Sequence, residues 1–237
     1  MSDFSTPYSP DCIDDLLGDA PSSAAQSSQP TGFQEFSLQG GGLYNYNDED
    51  THFDTQYGFV QPREQLPPRS HDQFQELSLP QRVIKELVSE LNITSRDRIL
   101  DIGSGTGRLA VMLHTMTGAT VRGVEIEDSY VSYASARADS YPAVSFEVGD
   151  GSQATLHNEN IICLINPFRG ALMENFLERV RAHYLEGENK EVTSPVRIIS
   201  QGICSFHLRD KPWLKQVGGG DGILSVGVFE LQPSTRT

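Results

Sequence analysis

Positive charge is scarce in this chain of 237 residues: 18 Lys and Arg stand against 32 Asp and Glu, for a formal net charge of −14. Nucleic-acid binding by counterion release needs a basic stripe, so this balance makes nucleic acid a disfavoured partner. Cysteine is scarce too. Cys12, Cys163 and Cys204 show no Cys-x-x-Cys spacing, which argues against a disulfide framework and against a thiolate metal site. The six histidines include no i,i+4 pair and no acidic partner at ligand spacing, so no metal is expected. No run approaches the roughly 18 apolar residues of a membrane span. The opening Met-Ser-Asp-Phe-Ser-Thr lacks the basic and apolar regions of a secretory leader. The expectation is an intracellular protein, cytoplasmic or nuclear, without a membrane partner.

What charge there is lies unevenly. Residues 1–80 carry 13 acids and two basic residues, Arg63 and Arg69, a net of −11; residues 81–237 carry 16 basic and 19 acidic residues, a net of −3. The first part is also rich in Ser, Gln, Gly, Pro and Asp, with Ser22–Ser28 and Gly40–Gly42 as its barest stretches. Such a segment buries too little apolar surface to offset a backbone entropy cost of roughly 1–2 kcal/mol per residue. Residues 1–74 are therefore expected to form a disordered acidic low-complexity tail, and residues 75–237 one domain. Two islands interrupt the tail: Cys12–Leu17, and the aromatic group Tyr44, Tyr46, Phe53, Tyr57 and Phe59. They read either as docking motifs for a protein partner or as accidents of composition.

Order is expected from about Ser78, where Ser78-Leu79-Pro80-Gln81 has the form of a capping box. Leu79, Val83, Ile84, Leu87, Val88 and Leu91 then fall at helical spacing. Beyond a polar turn the chain alternates by type. Strands are expected at 98–102, 120–126, 144–148, 161–165 and 196–200, and helices at 108–117, 129–139 and 171–184. Alternation of this kind means right-handed crossovers and a mostly parallel sheet with helices on both faces. The run Ile161-Ile162-Cys163-Leu164-Ile165 suits a strand buried on both sides. After the Gly218–Gly220 break, Gly222–Leu231 supplies a last strand at or near one edge.

The chemically informative segment is Asp101-Ile102-Gly103-Ser104-Gly105-Thr106-Gly107-Arg108. A strand runs into three alternate glycines and then a helix, so the backbone turns tightly and a ligand approaches without meeting a Cβ. In an open α/β sheet this is where ligands bind. The dinucleotide fingerprint Gly-x-Gly-x-x-Gly fails, because its last position is Arg108. The remaining pattern ends its strand with an acid, which would repel a pyrophosphate and suits an amino-bearing or cationic ligand.

Over roughly residues 78–231 the sequence resembles the class I, Rossmann-like S-adenosylmethionine-dependent methyltransferases. The resemblance implies S-adenosyl-L-methionine as cofactor, with its methionine moiety held by Asp101, Gly103, Ser104, Gly105 and Gly107. It implies that Glu125, closing the second strand beside Ile126, accepts hydrogen bonds from the ribose hydroxyls. Asp150 and Gly151 match the element that contacts the adenine amino group. Ile165-Asn166-Pro167-Phe168 is similar to the Asn/Asp-Pro-Pro-aromatic element of members that methylate amino nitrogens, although it has one proline rather than two. On that likeness Asn166 and Phe168 would face the methyl acceptor. The stretch Gln81–Gly107 is also similar to the non-SET histone-lysine and isoaspartate methyltransferases, and Val148–Ser152 to the latter.

The function expected is therefore methyl transfer to an unidentified acceptor, with an amino nitrogen of a protein or small molecule as one possibility. A cofactor-binding interaction module without catalysis, working through its acidic tail, is the alternative.

Overall fold

Strict alternation along the strands sets the architecture, because successive side chains of a strand leave opposite faces of its sheet. In β1 (Arg98–Ile102) Ile99 enters one core, while Leu100 and Ile102 enter the other. In β4 (Ile161–Ile165) Ile161 and Cys163 divide from Ile162 and Leu164 in the same way. The computed structural model describes residues 47–59, 79–186, 195–220 and 225–232. Its other strands are β2 (Thr120–Glu125), β3 (Val144–Val148), β5 (Arg197–Gln201), β6 (Leu214–Gly219) and β7 (Val226–Leu231). They form one sheet in the order β3-β2-β1-β4-β5-β7-β6. The pairs β3–β2, β2–β1, β1–β4 and β4–β5 are parallel, and β7 runs antiparallel to both of its neighbours.

Helices cover both faces. On one lie α2 (Gln81–Glu90) and α3 (Arg108–Thr117), whose Val83, Ile84, Leu87, Val111 and Met112 pack with Ile99, Val121 and Ile161. Ala138 of α4 (Asp128–Ala138) joins this core. The other face is covered by α5 (Ala171–Arg181), which runs on into a π turn at Ala182–Glu186, and by α6 (Cys204–Arg209). Cys163 and Cys204 are buried free thiols, whereas Cys12 lies outside the described residues.

Three expectations change. The C-terminal strand β7 lies near the edge, as expected, but is not the edge strand itself. It lies between β5 and β6, and β6, which the sequence reading missed, forms the edge. Gly218 and Gly219 do not break the chain but end β6: Gly219 has φ +79°, and a Cβ there would lie 1.8 Å from the Val226 carbonyl oxygen. Only glycine lets the two strands approach so closely.

The second change concerns the expected tail. Residues 48–57 form a helix, α1 (Asp48–Tyr57), with Asn47 as N-cap in a reciprocal capping box with Asp50. Phe53 and Phe59 of the aromatic island are buried in the first core, and Tyr57 packs against it. These side chains bury their apolar area within the chain, so the structure begins well before residue 75. The remainder of the expected tail, with Tyr44, Tyr46 and the Cys12–Leu17 island, lies outside the described residues.

The third is the start of α2. Pro80 is its N-cap and makes no side-chain hydrogen bond. The Gln81 amide instead donates to Asp50 Oδ1 at 2.7 Å, so α1 caps α2 from 31 positions away. Ser78 lies outside the described residues.

Phe53 is 4% exposed. Phe53→Ala should lower the unfolding free energy by about 3 kcal/mol, the usual cost of emptying an aromatic core site. Urea denaturation checks this, and an unchanged midpoint would place α1 outside the cooperative fold.

Candidate functional site

Strand order places the topological switch between β1 and β4, where loops leave the carboxyl ends of parallel strands in opposite directions and a crevice opens. Four strand ends supply the candidate residues. From β1 comes the glycine loop, whose Gly103 and Ser104 amides both donate to the Val124 carbonyl, at 2.8 and 3.1 Å. The loop closes at Gly107, with φ +79°, where a Cβ would lie 2.5 Å from Phe146 Cζ of β3. A side chain there would push α3 off the sheet.

β2 ends at Glu125, which is 3% exposed. Its Oε2 accepts the Gly105 amide at 2.9 Å, and its Oε1 accepts the Ile126 and Glu127 amides at 2.9 and 3.2 Å. The carboxylate thus ties the glycine loop to the loop that opens α4. A carboxylate offers about four acceptor positions, so capacity remains for a hydroxyl donor. Asp101, facing the same side of the sheet by alternation, is 2% exposed. Burial first, and the negative charge of Glu125 second, push its pKa up to about 7.

Two buried polar atoms of this rim, Asp101 Oδ2 and Ser104 Oγ, have no hydrogen-bond partner. Leaving such groups unpaired costs roughly 1–3 kcal/mol each, so they mark a place that a polar ligand would complete.

At the end of β3 Asp150 is exposed, and its Oδ1 accepts the Ser152 amide at 2.9 Å and the Ser152 hydroxyl at 2.7 Å. Ile126 follows β2 and Val148 ends β3 as large apolar side chains 53% and 52% exposed.

β4 delivers Asn166, which with Asn92 is one of two non-glycine residues in the left-handed region among the described residues. Asn92 ends the turn after α2; Asn166, at φ +51°, sits at the rim. Its amide donates to the Gln201 carbonyl at 2.9 Å, and a Cβ on Gly202 would lie 2.7 Å from its Oδ1. The Asn166 side chain is therefore held between β4 and the end of β5. Phe168 packs edge-on against Phe176, with centroids 5.8 Å apart.

The β1, β3 and β4 loops converge. A Cβ on Gly151 would lie 2.8 Å from Ile102 Cγ2, 3.4 Å from Phe168 Cε1 and 3.9 Å from the Gly103 nitrogen. One on Gly103 would lie 3.1 Å from Pro167 Cβ. The sequence-based candidates thus gather at one rim, with Asp150 on its outer side. Past the end of β5, His207 Nδ1 is paired with Glu174 Oε1 at 2.6 Å, and its Nε2 accepts the Gly170 amide at 3.2 Å. Sequence reasoning missed Gln201 and Gly202, whose relation to Asn166 arises only from β4–β5 pairing. Among the described residues no group of three His, Cys, Asp or Glu could hold a metal. No helix among them is long and apolar enough to cross a membrane.

Comparison with known proteins bears on the fold and on residues 99–185. Residues 99–185 match the model of a family described as "Methyltransferase domain". The ribosomal RNA small subunit methyltransferase A of Thermotoga petrophila is 34% identical over 100 residues, covering 41% of this chain and 38% of that protein. The chain thus spans well under half the length of this relative. Among solved structures, an RNA methyltransferase from Salinibacter ruber, in complex with S-adenosyl-L-homocysteine, superposes with a TM-score of 0.50 at 19% identity. It covers 68% of this chain and 97% of the other. A dimethyladenosine transferase from Plasmodium falciparum gives 0.50 at 15% identity, over 66% and 63% of the two chains. Residues 99–185 thus match a methyltransferase domain, and the sheet order with helices on both faces gives the chain a class I, Rossmann-like fold.

One expectation is overturned by these matches. The charge balance made nucleic acid a disfavoured partner, yet the curated relative is a ribosomal RNA methyltransferase. Neither an acidic total that lies mostly before residue 81 nor the lack of a Lys/Arg run after it excludes an RNA partner.

Asp101 gives a pH signature. Its folded pKa of about 7 lies above the ordinary 3.8, so its stabilising contribution is complete below pH 3.8 and is lost as pH rises toward 7. Without ligand, the wild type should lose stability relative to Asp101→Asn across that window. Thermal midpoints of both proteins against pH test this, and parallel curves would show that Asp101 ionises freely.

Proposed function

We propose that the chain is an active S-adenosylmethionine-dependent methyltransferase whose acceptor is an amino nitrogen of an RNA base. The observation that carries the reading is the convergence, at one rim, of the unpartnered Asp101 Oδ2 and Ser104 Oγ, the buried Glu125 carboxylate and the left-handed Asn166. The donor set fits the cofactor. An ammonium group would complete Asp101 and hold it ionised, and Glu125, with three of its roughly four acceptor positions taken by backbone amides, has capacity left for a ribose hydroxyl. Ile126 and Val148 offer apolar surface to a purine ring, with the Asp150 carboxylate and Gly151 at its polar edge.

When bound, the cofactor supplies an electrophilic sulfonium methyl. The chain's own contribution is positioning, since in-line displacement demands an acceptor held near attack distance with water excluded. The Asn166 side-chain oxygen and the Pro167 carbonyl would accept the two hydrogens of an amino group, turning its lone pair toward the cofactor half. Phe168, fixed edge-on by Phe176, would stack on the base. Asn166 needs no reorganisation for this role, because its backbone is already locked in a conformation that costs free energy when free.

RNA is preferred over a protein or small-molecule acceptor because the matching relative is a ribosomal RNA methyltransferase. An intracellular location belongs to the same reading. The alternative of an inactive interaction module is not favoured, since the family match spans the glycine loop and the Asn166 element.

The test is transfer of labelled methyl from the cofactor to separated RNA, protein and small-molecule pools. Label should enter RNA at a base amino nitrogen; label confined to protein or metabolites would refute the acceptor assignment. Glu125→Ala should weaken S-adenosylhomocysteine binding about thirtyfold, as expected for the loss of one charge-assisted hydrogen bond of about 2 kcal/mol. Asn166→Ala should leave that binding intact and lower the transfer rate about a hundredfold.

A further inference from the structure

Arg108 is the first residue of α3, directly after Gly107, and is only 4% exposed. Its Nε donates to Asp54 Oδ1 at 2.6 Å, its Nη2 to Asp50 Oδ1 at 2.8 Å, and its Nη1 to the Leu79 carbonyl at 2.9 Å. Its guanidinium carbon lies 5.6 Å from the centroid of the Phe53 ring. Both carboxylates and the ring belong to α1, and Asp50 is fully buried. Burial raises the Asp54 pKa, while its hydrogen bond to Arg108 and the guanidinium charge oppose the rise.

The other end of α1 is tied to α4. The Gly58 carbonyl, at its C-cap, accepts from Arg137 Nε at 2.6 Å and from the Tyr133 hydroxyl at 3.4 Å. The Tyr57 ring lies 6.3 Å from that of Tyr141, just past α4. Helices α3 and α4 are the two that leave the glycine loop and the Glu125 loop. Within the rim the Glu125 bond to Gly105 joins those loops, and α1 joins the same two helices from outside.

A buried ion pair is a poor source of stability compared with apolar packing of equal volume, and its better-attested use is to fix one arrangement among several. Here the arrangement concerns the first turn of α3, one residue beyond the glycine loop. If α1 undocked, Arg108 would lose both carboxylates and the Phe53 ring, the contacts that fix the first turn of α3 from outside.

We propose that α1 is a positioning strap for the cofactor rim, with Arg108 as the positioning residue through which α1 docking and cofactor binding reinforce each other. The inference rests on the reading that the rim holds S-adenosylmethionine. Coupling of this kind is reciprocal: a docked α1 tightens cofactor binding, and a bound cofactor tightens α1 by the same factor.

The experiment uses the full chain and S-adenosylhomocysteine as probe, with affinity from calorimetry and amide hydrogen exchange followed in α1. Wild type is compared with Arg108→Lys, which keeps the charge and loses the planar fork, and with the triple variant R108M/D50N/D54N, which buries no charge. The probe should slow exchange in residues 51–57 of the wild type, and both variants should bind it at least about fivefold more weakly, at the lower end of ordinary coupling factors. The triple variant should keep a thermal midpoint near that of the wild type, separating positioning from stability. Wild-type affinity in either folded variant overturns the strap. So does α1 exchange that ignores the probe in the wild type, a readout independent of whether any variant folds. A wild type that fails to bind the probe at all refutes the cofactor reading, and the strap falls with it.

Discussion

The Glu125 carboxylate accepting the Gly105 amide is the contact on which the site's geometry depends. A glycine-rich loop has too much conformational freedom to hold a ligand-ready shape by itself. Here one buried side chain fixes its middle, at 2.9 Å, while two further amides fix that side chain. Both strand ends are thereby set to one another before any ligand arrives. Pre-organisation of this kind reduces the ordering cost that binding would otherwise incur.

The same contact has an electrostatic consequence for its neighbour. With Glu125 held in place, Asp101 stands buried beside a fixed negative charge, and its pKa rises to about 7. The rim is thus acidic in composition yet does not carry its full negative charge near neutrality. It suits a ligand bearing positive charge at one end and hydroxyls at the other. A pyrophosphate would meet two carboxyl groups, in keeping with the failed dinucleotide fingerprint at Arg108. The basic groups nearby serve structure: Arg108 faces α1, and Arg122 pairs with Glu147 and Glu159.

How much of this was legible in the sequence depended on the range of the interactions. Strands 98–102, 144–148 and 161–165 and the helix 108–117 have in the structure the bounds that apolar periodicity and the glycine punctuation gave them. Asp101 and the glycine loop could be placed because the loop after the first strand of an α/β sheet is a ligand site by topology, whereas Glu125 and Asn166 were singled out only by the resemblance to the methyltransferases. The β6–β7 pairing was not legible, since Lys215-Gln216-Val217-Gly218-Gly219 reads as a turn until β7 supplies a partner for its backbone. The α1 helix was missed for a related reason: a mean composition typical of tails hid an Asn47–Asp50 capping box and an Asp50, Phe53, Asp54, Tyr57 face at helical spacing. That face has meaning only opposite Arg108, 54 positions beyond Asp54.

The inserted position of β7 bears on how the molecule is made. Strand β6 pairs with β7 alone, and β7 is the last of the seven strands to leave the ribosome. During synthesis the half of the sheet formed by β3, β2 and β1 can assemble as soon as residue 148 has emerged, and β4 and β5 extend it in chain order. Beside β5, however, an open edge persists until residue 231 is free, since β6 cannot occupy it. An unpaired edge of this kind is a template for pairing with other chains. The nascent protein therefore passes through a stage in which β1 to β5 are available and the outer edge of β5 is open, and its exposure to aggregation is set by how quickly that one reversed strand is inserted.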